Sequence, residues 1–554
     1  MRYSLALALA ALTLAVSPSA AAQPATVDLR ILAINDFHGY LRAPSGGIRI
    51  DDPEDKIKKI TVPAGGAEHM ATLVKQLSEG HKNTIFVAAG DLIGASPLLS
   101  AMFHDEPTIE SLSTMGLALA AVGNHEFDEG EEELKRMQNG GCHPLDKCQG
   151  PHPFTGAKFH YLAASTVETA TGKTIFPPYE IRTFDGIPVA FIGLTLKGTA
   201  GIISPASAAG LEFRDEAETV NALVQELKAR GVEAIVVLIH EGGYPTGDYN
   251  ECPAISGAIV DIVKKLDNAV DLVISGHTHQ AYVCNIDGRL VTSADKYGTL
   301  VTAIDVRLDT STRDVVSARA DNVIVRTTLA EAPEQTALIA SYDKLAAPIA
   351  NRRAGSVTAT LSRAPNEAGE STLGDIVADA QLAATASAAS GGAAAAFTNP
   401  GGLRADLAGR QDGAVTYADL FASQPFRNQL VTLTITGRQI KSMLEQQWLD
   451  PKRPRILQVS RGFSYSWDDA KPFGERVIAD SMSLNGERVD PAKSYRITVN
   501  NYLATGGDGF TALAQGTAQQ FGVYDADALY AYFQANSPIS PAAADRIKRL
   551  AQTK

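Results

Sequence analysis

The sequence predicts an α/β protein made of two units, on three observations. Short apolar runs rich in β-branched residues alternate with helical segments, such as 67–77 and 216–229, over the first half of the chain. The chain has 554 residues, more than one domain usually contains. All 11 histidines lie at or before His279, whereas both tryptophans, Trp448 and Trp467, lie in the second half. This asymmetry indicates two units with different tasks.

Five apolar runs of the first unit end in side chains that can bind a metal. They are residues 29–34, 84–88, 118–122, 234–239 and 270–274, and they lead into N-D-F-H-G, G-D, G-N-H-E, H-E-G-G and S-G-H-T-H. Ligands of open α/β sheets gather outside the carboxyl ends of the strands. A single Asp or His at a strand end is commonly a cap or a satisfied polar group. Five such strand ends, one after another along the chain, predict a single crevice that contains more ligands than one ion needs.

The remaining segments define the organisation of the chain. Residues 27–328 form the first unit, the Ala-rich segment 329–353 is expected to be a helical linker, and residues 354–552 form the second unit. Within the second unit, the Ala-rich segment 378–396 is predicted to start as a helix that breaks at Ser390-Gly391-Gly392.

Residues 1–22 have the pattern of a secretory signal peptide. Arg2 supplies the charge, residues 5–16 the apolar stretch, and Ala20-Ala21-Ala22 a cleavage site. The stretch is too short to span a bilayer comfortably, and neither a second candidate span nor an apolar C-terminal tail occurs. We therefore expect a periplasmic or secreted protein with no stable membrane anchor; an uncleaved anchor is the alternative.

The net charge and the cysteines limit which partners and which kinds of site the protein can have. A net charge of −13 argues against a nucleic acid polymer as partner, and an acidic protein that handles phosphate must neutralise it locally with metal ions or arginines. The four cysteines allow three pairings, of which adjacency favours Cys142–Cys148 and Cys252–Cys284. Free thiols are the alternative, and a zinc knuckle is disfavoured because no C-x-x-C pair occurs.

The five strand-end motifs resemble those of the calcineurin-like metallophosphoesterases. Four later segments resemble the C-terminal domain of the 5′-nucleotidases: G-E-S-T-L-G-D at 369–375, N-P-G-G-L-R at 399–404, Q-P-F-R-N at 424–428, and N-N-Y-L-A followed by G-G-D-G-F at 500–510. Together they cover nearly the whole chain after the signal peptide. The chain therefore resembles the 5′-nucleotidase family, in particular its exported bacterial members that combine both domains.

The resemblance implies a fold and a set of cofactors. The expected fold is a four-layer αββα metallophosphoesterase domain, a helix linker, and an α+β C-terminal nucleotide-binding domain. Two divalent ions (Zn, Mn, Mg, Co or Fe) are implied, and Asp91 would touch both. The implied ligands of the first ion are Asp36, His38 and His279, and those of the second are Asn124, His240 and His277. In an extended backbone, His277 and His279 would point the same way, but their division between two ions follows from the resemblance.

The resemblance also implies a catalytic pair, His125 with Asp128. A carboxylate bonded to one imidazole nitrogen raises the pKa of the ring and fixes its tautomer. A purely supporting role for His125 is the alternative. Glu126 and Glu241 stand beside ligands and are expected to form outer hydrogen bonds. The histidines without a motif are expected on the surface or in loops: His69, His81, His104, His143, His152 and His160.

The family pattern places five substrate-binding residues in the second unit. Phe426 and Tyr502 would clamp the base, Asn399 would bond its edge, and Asp508 and Arg404 would meet ribose or phosphate. The sequence departs from the family pattern at two points. Asn366-Glu367-Ala368 stands where many relatives carry an additional arginine, Arg363 being the nearest basic residue, and Asp375 replaces the usual Asn.

The predicted function is hydrolysis of nucleoside 5′-monophosphates to nucleoside and phosphate, by a monomer or weak dimer. The nearest alternatives keep the site and change the substrate to 2′,3′-cyclic nucleotides, 3′-nucleotides or nucleotide sugars. Alternatives of other classes are a non-catalytic nucleotide-binding surface protein and a hydrolase of non-nucleotide esters.

Overall fold

The first unit contains two six-stranded sheets packed face to face. The protein is described by a computed structural model over residues 25–55, 58–451 and 453–550, and the predicted signal peptide lies outside these residues. In spatial order the first sheet contains Val315–Ile324, Leu300–Asp309, Thr26–Ile34, Thr84–Ala88, Leu117–Ala121 and His160–Leu162. Its last four strands are parallel.

The second sheet has four parallel strands between two antiparallel edges. Its order is Ala281–Ile286, Arg289–Ala294, Leu272–Ser275, Ala234–His240, Ile187–Thr195 and Tyr179–Phe184. Strand Ala234–His240 is buried along its whole length. A strand that is covered on both faces has a continuous run of apolar residues, and for this reason the strand could be recognised in the sequence.

Helices cover the outer faces of both sheets, so the predicted αββα layering is confirmed. Ile31 and Val87 of the first sheet meet Leu238 and Ile274 of the second in a shared core. The helices of this unit are Ala67–Ser78, Leu98–Ala101, Glu106–Thr114, Glu131–Asn139, Pro205–Ala208, Glu216–Ala229 and Ala258–Lys265. Two short ribbons complete the unit, Ile48–Asp51 with Lys59–Val62 and Thr166–Glu168 with Leu211–Phe213.

All five ligand-bearing runs are strands, as predicted. They divide between the sheets, three in the first and two in the second. The crevice therefore lies between the carboxyl ends of two facing sheets and not along the edge of one. In the first sheet Ile34 is in register with Ala88, which brings the loops after these strands side by side.

Helix Pro333–Ala350 follows the first unit, and Pro333 occupies its first turn, where a missing N–H costs no hydrogen bond. It packs on the first unit, where Gln335 Nε2 donates to the Ser111 carbonyl at 3.1 Å and Tyr342 lies 4.9 Å from Phe103, ring to ring. The helix lies inside the predicted linker segment.

The second unit is α+β. Its five-stranded sheet runs Gln458–Val459, Ala395–Thr398, Ser494–Asn500, Gln429–Thr436 and Thr517–Tyr524, and its four-stranded sheet runs Glu487–Arg488, Ser483–Leu484, Phe463–Trp467 and Ile547–Arg549. A further pair joins Arg353–Ser356 to Ala414–Thr416. The helices are Thr372–Thr385, Tyr417–Ser423, Gly437–Glu445, Asn501–Ala504, Thr511–Ala514 and Asp525–Asn536.

The helix predicted at the start of segment 378–396 is present, but it ends at Thr385, before the predicted break at Ser390-Gly391-Gly392. The helix is Thr372–Thr385, and it starts earlier because the Ser371 hydroxyl accepts the Gly374 N–H at its N-terminus. Ala395–Thr398 is a buried strand instead, paired with Ser494–Asn500. Alanine propensity is overridden there by the tertiary pairing.

The disulfides are Cys142–Cys148 and Cys252–Cys284, which confirms the predicted pairing. The two units touch directly, since Leu98 packs against Phe421 and Ala526. Among the described residues, no helix combines the length and the apolar character needed to cross a membrane.

Candidate metal centre and substrate site

Six of the seven predicted ligands converge where the carboxyl ends of the two sheets meet, and the seventh, Asn124, follows a strand of the first sheet. The first sheet contributes Asp36, His38, Asp91 and Asn124, and the second contributes His240, His277 and His279. All except Asn124 fall into groups whose potential ligand atoms lie within 4.8 Å of one another. The prediction that these strand ends share one crevice is thereby confirmed.

The first group consists of Asp36, His38 and His279. His279 Nε2 lies 3.2 Å from Asp36 Oδ1 and 3.1 Å from His38 Nε2. His38 donates its Nδ1–H to the Gly94 carbonyl at 2.8 Å, which leaves an electron pair on its Nε2. Two ring nitrogens facing each other at 3.1 Å therefore require a proton or a cation between them.

The second group consists of Asp91, His240 and His277. Asp91 Oδ2 lies 3.0 Å from His240 Nε2 and 3.7 Å from His38 Nε2 of the first group. His240 donates its Nδ1–H to the Ala89 carbonyl at 2.8 Å, so that its Nε2 faces Asp91, where it can bind a proton or a metal ion. One carboxylate thus lies against both groups.

Unpaired polar atoms show that these residues fit divalent metal ions. Asp36 Oδ1, Asn124 Oδ1 and His240 Nε2 are buried without a hydrogen-bond partner. Buried polar atoms are normally satisfied, because leaving one unpaired costs about 1–3 kcal/mol. Carboxylate, carboxamide and imidazole donors with no thiolate suit a catalytic divalent ion.

Most protonation states agree with metal binding. Burial raises the pKa of Asp36, but the neighbouring His279 and His240 outweigh it and lower the pKa to about 2. Burial lowers the pKa of His277 to about 3 and also lowers that of His279. Burial lowers the pKa of His240 too, yet Asp91 outweighs it and raises the value to about 10. The charge that attracts a proton to His240 would equally attract a cation.

The backbone at the ligands is unusual. Five ligands have positive φ: Asp36 (50°), His38 (48°), Asp91 (50°), His277 (69°) and His279 (54°). The extended backbone in which His277 and His279 would point the same way is therefore not present. They lie in a loop past Leu272–Ser275, and His277 joins the second group while His279 joins the first. Such strain persists where surrounding contacts determine it, typically at functional sites.

Glycines before the ligands allow the close approach. A Cβ on Gly90 would lie 2.7 Å from His240 Nδ1, and one on Gly276 would lie 3.0 Å from Asp36 Oδ2. A Cβ on Gly123 would collide with the Asp91 carboxylate. The G-D, G-N-H and G-H pairs in the sequence therefore reflect steric need.

His125 and Asp128 form the predicted pair beside the two groups. The His125 Nδ1–H donates to Asp128 Oδ2 at 2.8 Å, and the His125 backbone N–H donates to Asp91 Oδ1 at 2.9 Å. Burial lowers the pKa of His125, but Asp128 and Asp91 outweigh it and raise the pKa overall. Glu126 accepts the backbone N–H groups of Asp91, Leu92 and Gly123, as expected of an outer hydrogen-bonding residue.

Phe426 and Arg404 of the second unit lie against this pair. The Phe426 ring is 6.0 Å from the His125 ring at an interplanar angle of 23°, and the Arg404 guanidinium is 5.8 Å from the Phe426 ring centre. The charge of Arg404 contributes to lowering the pKa of His38, after burial and nearer groups. The second unit therefore brings a cation and an aromatic face to the candidate metal centre.

The other predicted substrate residues form a hydrogen-bonded cluster. Asn399 Nδ2 donates to Asp508 Oδ2 at 2.8 Å, and the Tyr502 hydroxyl lies 3.0 Å from Asp508 Oδ1. The same hydroxyl lies 3.3 Å from the Ile202 carbonyl of the first unit. Asn399, Tyr502 and Asp508 are thus held together at the contact between the units.

Comparison with known proteins agrees with this geometry. Residues 29–281 match the model of the calcineurin-like phosphoesterases, and residues 348–515 match that of the 5′-nucleotidase C-terminal domain. The crystal structure of a 5′-nucleotidase precursor from Thermus thermophilus covers 95% of this chain and 100% of its own, with a TM-score of 0.75 and 25% identity. The chain belongs to the 5′-nucleotidase family.

Two further relatives are longer than this member of the family. The endonuclease YhcR of Bacillus subtilis is 33% identical over 86% of this chain, and the cell wall protein Lmo0130 of Listeria monocytogenes is 32% identical over 88%. The chain spans 37% and 64% of their respective lengths.

Sequence reasoning missed two residues near this family site. Arg455 lies 3.3 Å from Asp508 Oδ1, and no motif marked it. His104 lies in a loop, as expected, but it is 7% exposed and bonded to two carboxylates, which the sequence did not indicate. His104 directly precedes Asp105-Glu106-Pro107, and its positive φ could be recognised only in the structure.

Proposed function

We propose that this protein hydrolyses nucleoside 5′-monophosphates to nucleoside and phosphate with two divalent metal ions. Asp36, His38 and His279 would hold one ion, and Asn124, His240 and His277 the other. Asp91 would bridge them, a role supported by its distances of 3.0 Å to His240 and 3.7 Å to His38. When bound, such a pair of ions neutralises phosphate charge and activates water.

Residues of the first unit supply the proton that the phosphoryl group or the leaving oxygen receives. Because Nδ1 of His125 is committed to Asp128, its Nε2 is the nitrogen left to donate to the phosphoryl group or the leaving oxygen. Glu126 holds three backbone N–H groups and so fixes the loop that carries Asp91. The pair is thus pre-oriented before substrate arrives.

The second unit would bind the leaving group. Arg404 is placed to meet phosphate or ribose, and the Phe426 face to stack on the base, with about 1–3 kcal/mol of stacking free energy. Asn399 and Asp508 offer groups for base and ribose, and Tyr502 completes the aromatic pair of the family. The observation that carries the proposal is the 6.0 Å approach of Phe426 to His125, which joins a nucleotide-type pocket to a hydrolytic centre.

The protein is proposed to act outside the inner membrane, as a monomer or weak dimer. Two disulfides support an oxidising compartment. Export rests on the signal pattern of residues 1–22.

A phosphate-release panel tests the activity. The substrates are AMP, UMP, 2′,3′-cyclic AMP, UDP-glucose and an aryl phosphate, each with added Mn, Zn, Mg or Co and with a chelator. We expect the 5′-monophosphates to give the highest kcat/KM and chelation to abolish release. Faster turnover of cyclic nucleotides or UDP-glucose would replace the substrate assignment. Equal turnover of AMP and the aryl ester would contradict base binding, and no turnover of any substrate would leave nucleotide binding alone.

A further inference from the structure

Next to the catalytic pair lies a dipeptide that the proposed mechanism does not use. His104 and Asp105 are 7% and 8% exposed and have φ values of 50° and 61°. Two consecutive non-glycine residues in the left-handed region cost free energy, so the surrounding contacts must determine this conformation. The His104 side chain bonds to Glu129, next to Asp128, and the Asp105 side chain bonds to Gly94, which packs on the His125–Asp128 pair.

His104 lies between two carboxylates. Its Nδ1 is 2.8 Å from Glu129 Oε2, and its Nε2 is 2.9 Å from Asp146 Oδ2. Burial lowers the pKa of His104, but the bonds to Glu129 and Asp146 raise it overall, so the ring donates on both sides. Glu129 directly follows Asp128, and His104 therefore fixes the chain at the outer side of the pair.

The cluster around His104 is not arranged as a metal site. The His143 ring stacks on His104 with centres 3.8 Å apart and planes 10° from parallel. Ring nitrogens donate in the ring plane, so two stacked rings cannot direct their electron pairs at one ion. Glu133, the other nearby carboxylate, is bonded to Arg136 at 2.7 and 2.9 Å.

Asp105 fixes the inner side of the pair through Gly94. Asp105 Oδ2 accepts the Gly94 N–H at 3.1 Å. Gly94 packs so tightly on the pair that a Cβ there would lie 2.7 Å from both Asp128 Oδ2 and His125 Cβ. The carbonyl of the same residue accepts the His38 Nδ1–H at 2.8 Å.

We propose that His104 and Asp105 are positioning residues that hold the His125–Asp128 pair from two sides, His104 through Glu129 and Asp105 through Gly94. The inference rests on the proposed function, in which His125 donates a proton. Neither residue touches the reacting atoms. Their loss would therefore misdirect the proton donor while every proposed metal ligand stays in the chain.

The test compares substrates that differ in their need for a proton. A nucleoside leaving group must be protonated, whereas p-nitrophenolate leaves readily without one. Asp105→Gly and His104→Asn remove the contacts while keeping residues that tolerate positive φ. We expect kcat for AMP to fall roughly 10–100-fold in each, less than the roughly 10²–10⁴-fold that general acid catalysis contributes, because the donor is misplaced and not removed. For p-nitrophenyl phosphate we expect a fall of no more than about threefold.

Controls separate positioning from damage. Metal content by mass spectrometry should equal that of the wild type, and Asp105→Asn, which keeps an acceptor for Gly94, should recover most of the activity on AMP. Asp287→Gly, an exposed aspartate with φ 53°, is the matched control and should behave as wild type. Equal losses on both substrates, or no loss on either, would overturn the proposal.

A second readout does not depend on turnover. In protein labelled with ¹⁵N-histidine, the His125 ring signals are assigned by their loss in His125→Ala and report its hydrogen bond to Asp128. We expect Asp105→Gly and His104→Asn to shift these signals, and unchanged signals would refute the positioning role. If the wild type hydrolyses no nucleotide, the proposed function fails, while this measurement still decides the positioning.

Discussion

Asp91 Oδ2 lies 3.0 Å from Nε2 of His240, although Asp91 follows a strand of the first sheet and His240 ends a strand of the second. This contact joins the sheets at their carboxyl ends and places one carboxylate against both candidate ligand groups. The architecture of two facing sheets thus determines the site as much as any single motif does.

Asp91→Asn should remove metal and activity together. The amide is neutral and a poorer bridge, so we expect bound metal to fall from two ions to one or none per chain. kcat/KM for AMP should fall at least about 10³-fold, equivalent to about 4 kcal/mol. Mass spectrometry of bound metal and phosphate release measure both. Asp185→Asn, exposed with φ 48°, is the matched control, and full metal content in Asp91→Asn would contradict the bridging role.

His125→Ala should separate turnover from metal binding. His125 Nδ1 is bonded to Asp128, and the proposed function assigns the metal ions to seven other residues, so we expect unchanged metal content. kcat for AMP should fall roughly 10²–10⁴-fold. His160→Ala, which removes a half-exposed histidine, should retain activity. An unchanged kcat in His125→Ala would assign that residue a supporting role only.

Phe426→Ala should affect nucleotides selectively. Loss of one stacking face should raise KM for AMP roughly 5–100-fold, or about 1–3 kcal/mol. KM for an aryl phosphate should change far less, because the phosphate contacts remain. Steady-state kinetics on both substrates provides the measurement, with the exposed Phe473→Ala as control. A parallel rise in both KM values would argue against base stacking.

Asp375→Asn should stabilise the protein at neutral and alkaline pH. Burial raises the pKa of Asp375 to about 8, despite Arg546 nearby, and the side chain is fully buried. The unfolded chain ionises near its ordinary value of 3.8, so the free energy of unfolding falls as pH rises from about 4 to about 8. Asparagine does not ionise, so the variant does not lose this free energy of unfolding as the pH rises.

Thermal unfolding measures the effect. We expect Tm of Asp375→Asn to exceed that of wild type by roughly 4–8 °C at pH 8, for about 2 kcal/mol, and to match it near pH 4. The exposed Asp480→Asn is the control. A difference independent of pH would show that the carboxyl group does not carry the effect.

Much of the site was predictable from local sequence. Asp36, Asp91, Asn124, His240 and His277 each follow a short apolar run, and the side-chain pattern of a buried strand is set by the few residues within it. Glycines before three of these ligands mark the close approach that the backbone requires. The disulfide pairing followed from short separations along the chain.

Other features depended on contacts between distant segments. The helix predicted at the start of segment 378–396 ends at Thr385, and Ala395–Thr398 pairs with Ser494–Asn500 from much later in the chain. His104 carries no motif, and its partners lie 25 and 42 residues away. Arg455 meets Asp508 only after two loops fold together.

The sequence by itself determined the types and order of the ligands, because each ligand belongs to a local pattern of a strand followed by a turn. The tertiary structure alone decided which sheet each strand joins, which ligands share a group, and what surrounds His104 and Asp105. Those features depend on packing and charge between segments far apart in the chain, which no local pattern records.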